Sequence, residues 1–181
     1  VKKHVKVGVT TKELDKIAYN FISSHNAKPS FLNYDGFPAS ICVSINDVVV
    51  HGIPGPQKIK DGDIVSIDIG VELHGYHSDA ARTYVVGEVS QEIENLVTNT
   101  EKALYVGLSQ IKNGAKVGDI GWAIEEYAHN HGLSVVEELV GHGVGTNIHE
   151  DPDVPNFGRK GTGVTLKTGM VIAVEPMLNL G

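Results

Sequence analysis

Two stretches of this chain are near copies, and each ends in an acid. Lys60-Asp61-Gly62-Asp63-Ile64-Val65-Ser66-Ile67-Asp68 and Lys167-Thr168-Gly169-Met170-Val171-Ile172-Ala173-Val174-Glu175 share the pattern Lys-x-Gly-x-apolar-apolar-x-apolar-acid, 107 positions apart. A turn and a buried strand thus finish twice in a carboxylate. Burying an unpaired carboxylate is costly, so two of them at the ends of apolar strands call for a shared cation, read here as a metal.

The similarity extends upstream. Lys6-Val7-Gly8 followed by Leu14, Ile17, Ala18 and Phe21 matches Lys112-Asn113-Gly114 followed by Ile120, Ala123, Ile124 and Tyr127, and His25 coincides with His131. An offset held through both a helix and a strand describes two similar halves, about 1–90 and 91–181, of a single domain. The period is too long for a solenoid, whose repeats run at roughly 20 to 50 residues. An approximate two-fold between the halves would bring Asp68 and Glu175 together at its axis.

A chain of 181 residues can bury a sizeable core. Its formal charge of −7 argues against a nucleic-acid partner, which needs a basic face. The lone Cys42 excludes an internal disulfide and agrees with a reducing, cytoplasmic setting. No apolar run approaches the roughly 20 residues of a membrane span.

Thr10 and Glu13 form a capping-box pair ahead of Leu14, Ile17, Ala18, Phe21 and Ile22, which predicts a helix over 11–25. Residues 41–50 read as two short strands joined at Asn46-Asp47. Strands 63–69 and 81–86 flank a turn at Leu73-His74, which sets Asp68 directly opposite Asp79. A long helix is expected from Ser90 to about Lys112, with Ile93, Leu96, Val97, Leu104, Leu108 and Ile111 inward. Another runs from Asp119 and stops at Gly132. Strands near 134–140 and 170–175 complete an α+β pattern of antiparallel sheet covered by helices.

Gly141-His142-Gly143-Val144-Gly145, followed by His149-Glu150, offers a bare imidazole between glycines that permit close backbone approach. Taken alone it is equally a glycine-rich turn with an incidental histidine. His51, alone, is more simply a structural hydrogen-bonding residue. His25, His74, His77, His129 and His131 are read as structural, and Phe21, Trp122 and Tyr127 as core. Asp68, Asp79, His142 and Glu175 together present hard oxygens and one borderline nitrogen. That mixture suits Mn²⁺, Fe²⁺, Co²⁺ or Zn²⁺ in a two-ion site and is unlike a closed thiolate zinc site.

In order along the chain, Ser44-Ile45-Asn46-Asp47-Val48-Val49-Val50-His51-Gly52-Ile53-Pro54, Asp68 with Asp79, Gly141-His142-Gly143-Val144-Gly145, Ile148-His149-Glu150 and Val174-Glu175-Pro176 resemble the motifs of the type I methionine aminopeptidases. These are metallopeptidases of the pita-bread fold, related to prolidase and aminopeptidase P. The resemblance implies that Asp68, Asp79, His142 and Glu175 bind two metal ions, and that Glu175 also shuttles a proton. It implies substrate contacts from His51 and His149, and a methionine side-chain pocket lined by Tyr34, Phe37, Cys42 and Ile148.

The implied activity is removal of the initiator methionine from nascent chains, by a cytoplasmic monomer that meets the ribosome transiently and binds neither DNA nor membrane. The alternatives are an Xaa-Pro dipeptidase or aminopeptidase of the same fold and a non-catalytic binding protein built on it. The family has a helix before the position of Val1, and after Glu175 a further strand with a bridging glutamate and a pocket tryptophan. The chain is therefore expected to be a fragment, incomplete at both ends, with weaker metal binding than the intact protein and methionine release negligible beside it.

Overall fold

In the computed structural model, residues 1–180 are described, and they form two compact units. The first is Val1–Ser90 with residues 146–148, and the second is Gln91–Gly145 with residues 149–180.

The first unit is a helix laid on a small antiparallel sheet. Helix α1 (Thr11–Ser24) begins at Thr10, whose hydroxyl accepts from the Glu13 N–H while the Glu13 carboxylate takes the Thr10 N–H, so the capping box forms as expected. Short strand β1 (Lys28–Pro29) and strand β2 (Cys42–Ile45) lie along one edge of β3 (Ile64–Leu73), and β4 (Tyr76–Val85) runs along the other. Strand pleating puts Val65 and Ile67 on one face with Val43 and Ile45, where they pack with Leu14 and Ala18 of α1. Asp68, Cys42 and Gly70 therefore share the opposite face.

Three expectations change here. The β3–β4 turn is His74-Gly75, not Leu73-His74, because both residues adopt positive φ (55° and 80°), as a two-residue hairpin of right-handed twist requires. The register moves accordingly: Asp68 faces Ala81 and Asp79 faces Gly70, leaving the two aspartates as diagonal neighbours on one face. The strand expected after Asn46-Asp47 does not form. Asn46 turns at φ 54°, its amide held by Asp63 Oδ1 and its own oxygen taking the Ile64 N–H, and Val48 and Val49 are exposed. Phe21 is not core either; it is 65% exposed, its ring tilted against His25 at the end of α1.

In the second unit, α2 (Gln91–Leu108) packs on α3 (Val117–Asn130), and five short strands follow. Helix α2 stops four residues before Lys112, and Leu108 and Ile111 are exposed. Its deeply buried positions are Ala103 and Gly107, because a side chain on Gly107 would collide with Ile124 of α3. Helix α3 ends as expected, with Gly132 at φ 71° just past its last turn. Strand β5 (Leu133–Val135) pairs with β9 (Leu178–Leu180), while β6 (Val140–Gly143) lies between β7 (Glu150–Pro155) and β8 (Ile172–Ala173).

The sequence repeat is a repeat of local physics. Gly8 and Gly114 both sit at φ 88° and donate to the carbonyls of Ile59 and Leu166. Glu13 and Asp119 accept the Thr10 and Lys116 N–H groups, which hold both carboxyls below their usual range. His25 and His131 each donate from Nδ1 to the carbonyl four residues back, at 2.8 and 2.7 Å, beneath Phe21 and Tyr127. The Lys60 N–H goes to Asp63 Oδ2 and the Lys167 N–H to Met170 Sδ, the same turn closed by a carboxylate and by a thioether.

Gly121 of α3 lies against the backbone of residues 155–157, and a Cβ there would meet the carbonyl oxygens of Phe157 and Pro155. Glycine inside a helix ordinarily costs up to about 1 kcal/mol relative to alanine. Gly121→Ala is nonetheless expected to lower stability by about 1–2 kcal/mol, since displacing backbone in a packed site outweighs the helix gain. Urea unfolding would show it as a lower midpoint at unchanged slope; a raised midpoint would refute the contact.

Candidate active site

On the first unit's open sheet face, Asp68 and Asp79 project as half-buried carboxylates on either side of Gly70, whose lack of a side chain leaves room for the Phe31 ring. Cys42 pairs directly with Asp68 and is 4% exposed. Burial, and then the charges of Asp68 and Asp79, push its thiol up to about 12. At neutral pH it stays protonated, so it is an apolar wall rather than a nucleophile.

Cys42, Phe31 and Ile148 form a small apolar cluster with Phe37 packed against it. Two of the expected pocket residues thus join Cys42, while Tyr34 sits at the start of a short 3₁₀ turn and is 40% exposed. Phe31 went unmarked in the sequence, since nothing local says that it fills the space over Gly70.

His51 is exposed at φ 55°, followed by a glycine that the fold needs. The Gly52 carbonyl accepts from the Val43 N–H and its own N–H donates to the Ser44 hydroxyl, so close to β2 that any Cβ would strike the Val43 carbonyl. His51 is in this way fixed beside the strand that carries Cys42. The histidines read as structural behave so where contacts define them: His77 bonds the Ser30 hydroxyl at 2.8 Å, and His74 is the hairpin turn residue.

In the second unit the glycines around His142 have the anticipated use. Side chains at Gly141 and Gly143 would run into the carbonyls of Ala173 and Asp151 on the flanking strands. Gly-His-Gly therefore lets β6 pass between β7 and β8 with its one imidazole buried, 7% exposed. Its Nδ1 lies 2.8 Å from the Gly143 carbonyl, which can only accept, so Nδ1 is the protonated nitrogen and Nε2 presents a lone pair in the neutral ring.

That Nε2 is 3.1 Å from Glu175 Oε1. The approach is off the hydrogen-bond direction, and Oε1 is shielded from solvent with no donor reaching it. A carboxylate oxygen without a donor thus converges with an imidazole nitrogen. His149, exposed at the head of β7, sets its ring edge-on to His142 with centroids 4.2 Å apart. Asn156, which the sequence did not single out, donates from Nδ2 to the Glu175 carbonyl at 2.8 Å and is fully buried.

An orphaned carboxylate oxygen beside an imidazole nitrogen offers the mixed oxygen and nitrogen donors that suit a divalent cation. No helix among the described residues is long and apolar enough to cross a membrane.

Known proteins agree with this chemistry. The chain is 53% identical over 181 residues to methionine aminopeptidase 1 of Bacillus subtilis (strain 168), covering all of this chain and 73% of that protein. The crystal structure of methionine aminopeptidase from Rickettsia prowazekii superposes with a TM-score of 0.97 at 51% identity, over 99% of this chain and 72% of that one. The Xaa-Pro dipeptidase from Bacillus anthracis follows the same fold with a TM-score of 0.80 at 28% identity, over 97% of this chain and 47% of that one. Residues 1–180 match the profile of metallopeptidase family M24, the family to which this chain, with its helix-covered antiparallel sheets of the pita-bread type, belongs.

Proposed function

We propose that this chain is a methionyl aminopeptidase, which removes the initiator methionine from nascent proteins by metal-assisted hydrolysis of the first peptide bond. The observation that carries the reading is the buried Glu175 oxygen without a donor beside the His142 lone pair, in a member of a metallopeptidase family. Following the family resemblance, Asp68 and Asp79 of the β3–β4 hairpin, and His142 and Glu175 of β6 and the segment after β8, are assigned as the metal ligands. Three carboxylates and one imidazole suit two divalent ions drawn from Co²⁺, Mn²⁺, Fe²⁺ and Zn²⁺.

Such ions would supply Lewis-acid activation of a water molecule and of the scissile carbonyl. The protein's own groups do the rest. Glu175 takes the proton released by the attacking water and returns it to the departing amine. His149 donates a hydrogen bond to the carbonyl oxygen as it gains charge, and His51 is a further substrate contact. The Phe31–Cys42–Ile148 cluster, with Phe37 and Tyr34, receives the unbranched methionine side chain, for which an uncharged thiol and aromatic edges are suitable contacts. The setting we assign is a cytoplasmic monomer meeting nascent chains transiently at the ribosome, in keeping with one buried, unpaired cysteine.

Hydrolysis of Met-Ala-Ser and of an Xaa-Pro dipeptide, each with added Mn²⁺ or Co²⁺, separates this reading from its relatives on the same fold. Methionine release with the dipeptide untouched is expected; cleavage of the dipeptide alone would make the chain a proline-directed enzyme, and cleavage of neither would leave a binding protein.

Removal of metal by a chelator should abolish turnover, and re-addition should restore it. His149→Ala is expected to lower kcat by about 10²- to 10³-fold, the usual effect of deleting a donor to a developing oxyanion, while bound metal stays within about twofold of the parent. Metal loss in proportion to activity loss would make His149 a ligand instead.

A further inference from the structure

We propose that Asn156 is a positioning residue for Glu175: its side-chain amide fixes the peptide from which the Glu175 carboxylate projects. The inference rests on the reading of Glu175 as a metal ligand.

The two repeat-related acids are held very differently. Asp68 lies inside a ten-residue strand, paired with Cys42 on one side and Ala81 on the other, so both ladders fix its backbone. Glu175 follows a two-residue strand whose ladder with β6 stops at Ala173, and the next residue, Pro176, has no N–H to extend a sheet. At that gap the Asn156 Nδ2 donates to the Glu175 carbonyl at 2.8 Å. A side-chain amide stands in for a strand neighbour.

Packing alone does not account for an asparagine there. Asn156 is 0% exposed and its Oδ1 has no donor, an arrangement that disfavours folding relative to an apolar side chain of the same volume. It comes immediately after β7, where Gly121 of α3 lets residues 155–157 run against the helix. The amide is therefore anchored to α3 while it reaches Glu175. Groups that orient a metal-binding side chain are typically worth 10- to 100-fold in metal affinity or activity when removed.

The test compares the parent with Asn156→Leu and Asn156→Asp, measuring Mn²⁺ affinity by EPR, hydrolysis of Met-Ala-Ser, and the unfolding midpoint without metal. Positioning predicts Mn²⁺ bound 10- to 100-fold more weakly by both variants and a matching fall in kcat, with KM within about twofold. A changed midpoint with parental Mn²⁺ affinity would reduce Asn156 to a structural residue and overturn the inference while leaving the metal site intact. No Mn²⁺ uptake by the parent would overturn the metal reading and this inference together. If neither variant folds, the parent decides: the Asn156 side-chain amide resonances should shift and exchange more slowly when Zn²⁺ is added, and unchanged resonances overturn the proposal.

Discussion

A carboxylate oxygen buried without a donor, 3.1 Å from an imidazole nitrogen whose ring proton is committed elsewhere, is the constraint around which the second unit is arranged. With the ring proton on Nδ1, the Nε2 lone pair faces a carboxylate oxygen, and a positive charge between them would satisfy both. Holding them in that relation takes three closely spaced backbones: β6 threaded between β7 and β8 by two glycines, and α3 drawn onto residues 155–157 by a third. At each of these points any side chain larger than hydrogen would push the neighbouring backbone away and spoil the relation between the two groups.

The first unit solves a related problem with more conventional means. A ten-by-ten residue hairpin is stiff, and its two-residue turn fixes the register that puts Asp68 and Asp79 on the face away from α1. Gly70 between them is open on the strand but capped by Phe31, which ties the carboxylate face to the apolar cluster around Cys42. Acidic and apolar surfaces thus meet at Cys42, whose thiol is kept neutral by burial and by the aspartates beside it.

Much of this was legible in the sequence because the repeat doubled the signal. The capping box at Thr10, the C-terminal glycine at 132 and the glycines flanking His142 each carry a local reason that survives in the fold. What was misread depended on information a sequence window does not hold. The hairpin register hinged on whether His74 would accept positive φ beside Gly75; with it, Asp79 moved from facing Asp68 to facing Gly70. Helix α2 was read by its large apolar residues, yet its buried line runs through Ala103 and Gly107, because α3 approaches too closely for anything larger. Phe21 has the spacing of a core residue but ends as a ring tilted against a capping histidine, where Tyr127 stacks on its own in the other copy. Phe31 and Asn156 carry no pattern at all; only the tertiary fold brings them to Gly70 and to Glu175.

The departures from the repeat are as informative as its matches. Where the copies need the same backbone they keep the same device, a positive-φ glycine, a capping carboxylate or a histidine closing a helix. Where they differ, the strand leading to the acid differs in length: Asp68 is braced by two ladders, and Glu175 follows a short one and is held from Asn156. A duplicated half can keep its fold with either arrangement, since the helix and turn contacts do not involve the acid. The acid's backbone support is thus free to diverge between the halves, and a longer side chain on a shorter strand requires a support of its own. A glutamate has one more rotatable bond than an aspartate, so holding its carboxylate in one place costs more rotamer freedom. A buried amide on the Glu175 carbonyl fixes the peptide from which that longer side chain starts, so that its own torsions are the only freedom left to packing.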